Sequence, residues 1–394
     1  MSDPGPLDGI RVLDFTSVVM GPMATQILGD LGAEVITIEA AKGETNRVMG
    51  EGPHPQLSGV SLNLLRNKRN VSIDLKAPEG RAAVLAIAAT CDVFVTNLRP
   101  APLARLRLTY DDVRAVREDV VFCRAAGFPS DSSGADDPAY DDIVQTASGI
   151  ADVVRRASAD GEPALFPTIL ADKVSGLTLT YAILAALFER SRSGMGQVVE
   201  VPMVDAVSAF LLVEHGAGAV ARPPQAAAGY GRILTPHRRP QRSADGWIQV
   251  FPYTQAHYDA LFAAAGRDDL VGDDRLATTR ARAANSELLY NVLASIIAGR
   301  TTGEWLELCR LHAIPAAAMA DLDELVEALP DADHPVAGRY KSVPPPARFS
   351  RSPSTVRRPA PLVGEHNREV LREVGLDDDA IDALEAAGVL RKRD

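Results

Sequence analysis

The first 130 residues alternate short β-branched runs with helical runs, and that order limits the fold more than any other feature of the chain. "IRVLDF" (10–15) reads as a strand, Gly21-Pro22 turns the chain, a helical run closes near Gly32, and Glu34 to Glu39 reads as a second strand. A helix between two neighbouring strands returns the chain to the same end of the sheet, so the strands run parallel. The alternation continues through the strand "NVSIDL", the helix "APEGRAAVLAIAATC" opened by Pro78, the strand "DVFVTNL", a helix near Tyr110 to Val116, and the strand "DVVFCRAAGF". The expected fold is α/β: a large doubly wound, Rossmann-like domain. Ligands of such sheets lie beyond the carboxyl ends of the strands. Here those ends are Thr16 to Met20, Glu39 to Lys42, Thr96 to Arg99 and Gly127 to Asp131.

No G-x-G-x-x-G follows the first strand, so a nicotinamide dinucleotide site has no fingerprint. A formal charge of -11 over 394 residues argues against a general nucleic-acid binder and leaves anionic small molecules open. Cys91, Cys123 and Cys309 lack metal-ligand spacing, which predicts no zinc, no disulfide framework and a reducing, cytoplasmic setting. The start "MSDPGPLDGIRVLDF" has no secretory pattern, and the apolar run from Val174 to Phe188 reads as a buried helix rather than a membrane span. Composition turns Gly-, Pro- and Arg-rich at 218–245. The pattern therefore predicts a large domain over 1–217, a linker over 218–245, a smaller α/β domain over 246–330, and a return linker with C-terminal helices completing the large domain over 331–394. The proline-rich run from 341 to 361 should cross the surface as an extended connection.

No histidine stands in a metal motif, and no Ser-His-Asp arrangement is evident. Carboxylates are the better candidates: Asp141 and Asp142 in "AYDDIVQ", and Asp172 in "LADKVSG". Asp172 opens a long apolar helix. There it serves either as an N-cap or as a carboxylate held ionised for nucleophilic or base chemistry, and position alone leaves both readings open. Lys42, Arg47, Lys68, Arg69, Lys76, Arg99 and Arg105 gather near the strand ends, either as solvated surface or as a clamp for phosphates.

In order, "PLDGIRVLDFTSVVMGPMATQILGDLGAEVITIE", "LNLLRNKRNVSIDLKAPEG", "VTNLRP", "AYDDIVQTASGI", "ILADKVSGLTLTYAILAAL", "GQVVEVPMVDA" and "PLVGEHNREVL" resemble the family III CoA-transferases, from about Pro6 to about Leu390. The resemblance implies a homodimer of interlocked chains, with acyl-CoA and a carboxylic acid as substrates and neither a permanently bound cofactor nor a metal. It implies that Asp172 is the nucleophile, passing through a mixed anhydride and an aspartyl-CoA thioester. It places Val18 and Val19 near the thioester, Leu75 and Lys76 near the adenine, and Asn97, Leu98, Arg99 and Arg105 along the nucleotide, with Lys42 supplying charge. Tyr140 and Asp141 face the substrate.

Some positions depart from formyl-CoA transferases, which carry Gln at Val19, Arg at Ala40, and a glycine-run loop where this chain reads "RILTPHRRPQRSADG". The same fold serves α-methylacyl-CoA racemases. Their His is Tyr140 here, and their additional Glu falls at Thr254 or Gln255. A phenol is a poor base near neutrality. The transferase reading is therefore preferred, with racemase and non-catalytic CoA-binding relative as alternatives.

Overall fold

A computed structural model describes residues 4–391. The chain forms two compact units, the first from residues 4–148, 166–210 and 329–391, the second from 149–165 and 211–328. The first is built on six parallel strands: β1 (Arg11–Phe15), β2 (Glu34–Glu39), β3 (Lys68–Ser72), β4 (Val93–Thr96), β5 (Val121–Ala126) and β6 (Gln197–Pro202), in spatial order β3-β2-β1-β4-β5-β6. The order reverses between β1 and β4. That is where open α/β sheets hold their ligands. On one face Phe15, Phe94 and Phe122 stack at 4.9 and 5.0 Å between ring centres, and Val370, Leu371 and Ile381 of the C-terminal helices Asn367–Glu373 and Asp378–Ala386 bury in the same core.

Polar residues obscure two of these strands in the sequence. β3 starts two residues early, at Lys68, because Lys68 and Arg69 are buried in it although an apolar-run criterion skips them. β6 is half-exposed and carries Glu200, paired to Arg124 at 2.9 Å, so its alternation is weak.

The helix Leu170–Ser193 lies against α1 (Met20–Asp30). By length and composition alone it could cross a membrane, yet it buries Ala171, Asp172, Ser175, Gly176, Leu179, Thr180 and Ile183 inside this unit. A Cβ on Gly176 would sit 2.8 Å from the Met20 carbonyl oxygen, so only glycine lets the two helix starts approach so closely.

The second unit carries an antiparallel sheet of Gln241–Arg242, Trp247–Val250 and Ala316–Ala318, packed with the helices Gln255–Ala264, Ser286–Ile297 and Thr302–Leu311 over Ile248, Phe262, Leu293 and Trp305. Its boundaries correct the predicted ones. Residues 149–165 and 211–217 belong to it rather than to the large domain, since Arg156 Nη1 donates to Ala228 O at 3.0 Å and Gly149 lies against Leu211. Residues 218–245 are part of this unit, not a free linker. In the first unit, 342–366 holds no helix or strand and runs as an extended connection, pinned where Arg357 and Arg358 N–H donate to Asn67 Oδ1 at 2.6 and 2.9 Å.

Candidate active site

Beyond β1 the chain turns straight into α1, and this tight entry dictates its residues. A Cβ on Gly21 would fall 2.2 Å from the Thr16 side chain. Beneath the turn Asp14 Oδ1 accepts the Thr16 N–H and hydroxyl at 2.9 and 2.5 Å, while Asp14 Oδ2 accepts Thr25 Oγ1 at 2.6 Å and Lys68 Nζ at 3.1 Å. Asn97, after β4, ties the two loops together: its Oδ1 accepts the Ser17 N–H at 3.1 Å and its Nδ2 donates to Ser17 O at 2.9 Å.

Val18 has φ of +70°, a left-handed conformation that a β-branched residue adopts only under constraint. Glu44 supplies the constraint. Its carboxylate accepts the N–H of Val18 and, at 2.6 Å, that of Asn46, while Asn46 Nδ2 donates to Val18 O at 3.3 Å. Burial pushes Glu44 up to about 7 against the pull of these N–H groups. Glu44→Ala is expected to let Val18 relax from a conformation costing ~1–3 kcal/mol, shifting the adjoining start of α1. The measurable result is a kcat lowered ~10-fold or more with acyl-CoA KM within ~2-fold, read in steady-state kinetics alongside circular dichroism.

Asp172 is not the helix cap. The N-cap is Ile169, without a side-chain cap bond, and Asp172 sits in the first turn with its Oδ1 accepting the Met20 N–H at the start of α1, at 2.9 Å. Two helix N-termini thus converge on one carboxylate, a favourable field for negative charge. Burial nevertheless dominates and pushes Asp172 up to about 6, with the charge of Asp141 adding to the rise. Asp141 itself holds the site from behind: its Oδ1 accepts the Asp172 N–H at 3.1 Å and its Oδ2 accepts Gln145 Nε2 at 2.6 Å.

A cavity of about 220 Å³ opens over Asp172, lined also by Ser17, Val18, Asn97, Arg99, Tyr140 and Met203. Tyr140 is 64% exposed, and Arg99 Nη1 donates to Asp136 O at 2.8 Å. Val19, expected beside it, is buried and outside its lining. Leu98 packs partly buried on the core, and Asp141 supports the site rather than facing the cavity.

Two further cavities of the first unit, about 710 and 430 Å³, share Leu75, Lys76 and Leu106. Arg81, Arg105 and Arg107 line the larger and Lys42 and Arg391 the smaller. Arg81 pairs with Asp112 at 3.4 Å, and Lys76 and Arg105 form no ion pair among the described residues, so the groove is electropositive. Arg81, Arg107 and Arg391 were not singled out in the sequence; the helix start at Pro78 and the turn after the Pro100–Leu106 helix bring the first two there. Three expected members of the basic cluster are elsewhere. Lys68 is buried on Asp14, Arg47 is bidentate to Glu39 at 2.8 and 2.7 Å, and Arg69 reaches Glu369 and Glu373 at 2.9 and 2.5 Å. All three are engaged in ion pairs inside the first unit.

In the second unit Thr254 caps the Gln255–Ala264 helix through the His257 N–H, and Gln255 bridges Asp259 and Arg282 at 2.8 Å each. All three cysteines are buried, with Cys91 pushed up to about 12 and Cys309 to about 11 by burial. No group of three or more His, Cys, Asp or Glu among the described residues could hold a metal ion.

A sheet reversing at β1/β4, a buried carboxylate facing a cavity and a separate groove lined by basic side chains make up the candidate site. The profile of CoA-transferase family III matches residues 7–367, and the chain belongs to that family. It is 32% identical over 382 residues to the probable fatty acyl-CoA transferase Rv3272 of Mycobacterium tuberculosis, covering 92% of this chain and 96% of that protein. The crystal structure of Rv3272 superposes with a TM-score of 0.80 at 31% identity, over 94% of this chain and 100% of that one. The succinyl-CoA:glutarate CoA-transferase of Mus musculus is 30% identical over 403 residues, covering 99% of this chain and 91% of the mouse protein.

Proposed function

We propose that this CoA-transferase moves CoA from an acyl-CoA thioester to a carboxylic acid by covalent catalysis on Asp172. The observation that carries the reading is a buried carboxylate, pushed up to about 6, facing a cavity and held by the Met20 N–H. The Asp172 carboxylate adds to the donor carbonyl, and collapse expels CoA thiolate to leave an aspartyl–acyl mixed anhydride. The thiolate attacks the Asp172 carbonyl, releasing the donor acid and forming an aspartyl-CoA thioester. The acceptor carboxylate then displaces the thiolate to give a second mixed anhydride. Thiolate attack on its acceptor carbonyl yields the new acyl-CoA and regenerates Asp172. Each step keeps an activated carbonyl in play, which is the advantage of a covalent carrier. The helix N-termini at Asp172 stabilise the negative charge that develops on the carbonyl oxygens.

The basic groove with Lys76, Arg105 and Lys42 suits the nucleotide and phosphates, leaving the acyl end at Val18, Asn97 and Tyr140. Arg105→Ala is expected to raise acyl-CoA KM ~3–10-fold with kcat and fold kept, and the defect should shrink as salt screens the contact. Initial-rate kinetics at two ionic strengths measure it.

Racemisation needs a base opposite the thioester α-carbon. Tyr140 is a phenol, and Thr254 and Gln255 are occupied within their own unit by a cap and a bridge. Incubating the protein with an acyl-CoA and a panel of acids, with mass spectrometry of both pools, tests the reading. CoA appearing on a new acid supports transfer. Deuterium uptake at the α-carbon without exchange would replace it with racemisation, and neither would leave a binding protein.

The Leu170–Ser193 helix also exposes Leu177, Tyr181 and Phe188, spaced along one side opposite its buried face. This apolar stripe supports a homodimer in which a second copy covers it, and light scattering is expected to return twice the chain mass. An active species at the mass of one chain would refute it.

A further inference from the structure

The second unit contains a cavity of about 120 Å³ that neither the transfer chemistry nor its fold requires. Arg232, Tyr253, Tyr258, Arg282, Ser286 and Tyr290 line it together with apolar side chains. Neither of its two guanidiniums has an ion-pair partner among the described residues. Arg282 is buried and donates to neutral acceptors, Gln255 Oε1 at 2.8 Å, Leu276 O at 2.7 Å and Thr279 Oγ1 at 3.3 Å, with its charge 4.4 Å from the centre of the Tyr258 ring. Arg232 lies 5.2 Å from the centre of the Phe251 ring and makes no hydrogen bond or ion pair among the described residues. No Asp or Glu is among the lining residues. Burying one cation costs several kcal/mol unless it is paired, and two facing one cavity repel. An arrangement of this kind persists where an anion completes it, and a guanidinium flanked by hydroxyls suits a carboxylate. The cavity is well below the ~300–1,000 Å³ of drug-sized sites. It has no room for a nucleotide.

We propose that this cavity binds the carboxylate of a small aliphatic acid, held by Arg232 and Arg282. The acid is either the acceptor of the transfer reaction, which rests on the function proposed above, or a ligand that is not consumed.

Titration calorimetry of the full chain with glutarate, succinate and butyrate tests this, with Asp172→Asn as the background so that no turnover contributes. Arg232→Met is the first variant, because Arg232 is half-exposed and its removal leaves the core intact. Ala283→Glu is the second, because it adds a carboxylate to the wall of the cavity that both arginines line. The expected result is saturable binding of at least one acid, weakened at least ~10-fold by either variant. Absence of saturable binding, or equal affinity in all three backgrounds, overturns the site whether or not the chain transfers CoA. In the active enzyme, a raised acceptor KM in Arg232→Met identifies the acid as acceptor, and an unchanged KM with binding lost identifies a non-consumed ligand.

Discussion

Asp172→Asn is expected to abolish CoA exchange, lowering kcat by at least ~10³-fold, about 4 kcal/mol or more in barrier. An amide cannot add to a thioester and leave again as a carboxylate, yet it keeps an oxygen to accept the Met20 N–H, so the geometry survives. Stability should move the other way. Asp172 is pushed up to about 6 in the fold against 3.8 for a free aspartate. Between those values the folded state binds the proton more tightly than the unfolded chain, so stability falls as pH rises through this window. Above pH 6 the ionised group therefore costs up to ~3 kcal/mol at ~1.4 kcal/mol per pH unit, and the amide avoids that cost. Urea midpoints of Asp172→Asn should exceed wild type at pH 7.5 and converge with it below pH 4. In the wild type, kcat/KM should fall about tenfold per pH unit below about 6, as the nucleophile becomes protonated. Exchange by the Asn variant, or hydroxylamine trapping on Asp141 rather than Asp172 during turnover, would remove Asp172 from the role.

The parallel sheet was legible because each central strand carries a short buried apolar run: Val12 and Leu13, Val35 and Ile36, Val93 to Val95, and Val121 to Cys123. Asp172 was legible as a carboxylate at a helix start, but its partner was not. Met20 lies 152 residues away, and only the packing of two helices across Gly176 brings its N–H there. Glu44 stayed hidden for a related reason. Its value comes from a φ of +70° at Val18, and nothing in the one-dimensional pattern marks a valine as left-handed. The basic cluster was the least readable feature. Sequence proximity to strand ends places Lys68 with Lys76 and Arg105, yet Lys68 opens the edge strand β3 with its ammonium buried on Asp14 of β1, while Lys76 and Arg105 reach the groove.

Lys68→Met is where that distinction has its largest energetic consequence. Lys68 is fully buried, donating to Asp14 Oδ2, to Pro22 O at 3.0 Å and to Thr25 Oγ1 at 2.7 Å. Desolvation lowers its pKa, and the neighbouring carboxylates of Asp14, Glu44 and Glu39 work against that fall. Removing the ammonium leaves the buried Asp14 side chain beneath the active-site turn without its counter-charge and with only hydroxyl and N–H partners, which should cost ~3–5 kcal/mol of stability. The double replacement Asp14→Asn with Lys68→Met leaves no charge behind and is expected to recover much of that loss, although the Asn side chain cannot accept from Thr16 and Thr25 together. Urea unfolding of the two single variants and the double variant gives the coupling directly. A phosphate-binding lysine would behave differently: Lys68→Met would raise acyl-CoA KM with the unfolding midpoint unchanged, and that outcome would return Lys68 to the clamp. The buried pair predicts the reverse, a lowered midpoint. Such activity as remains should be limited by kcat, because the turn from Thr16 to Met20, which aims an N–H at Asp172, rests on Asp14 and its lysine.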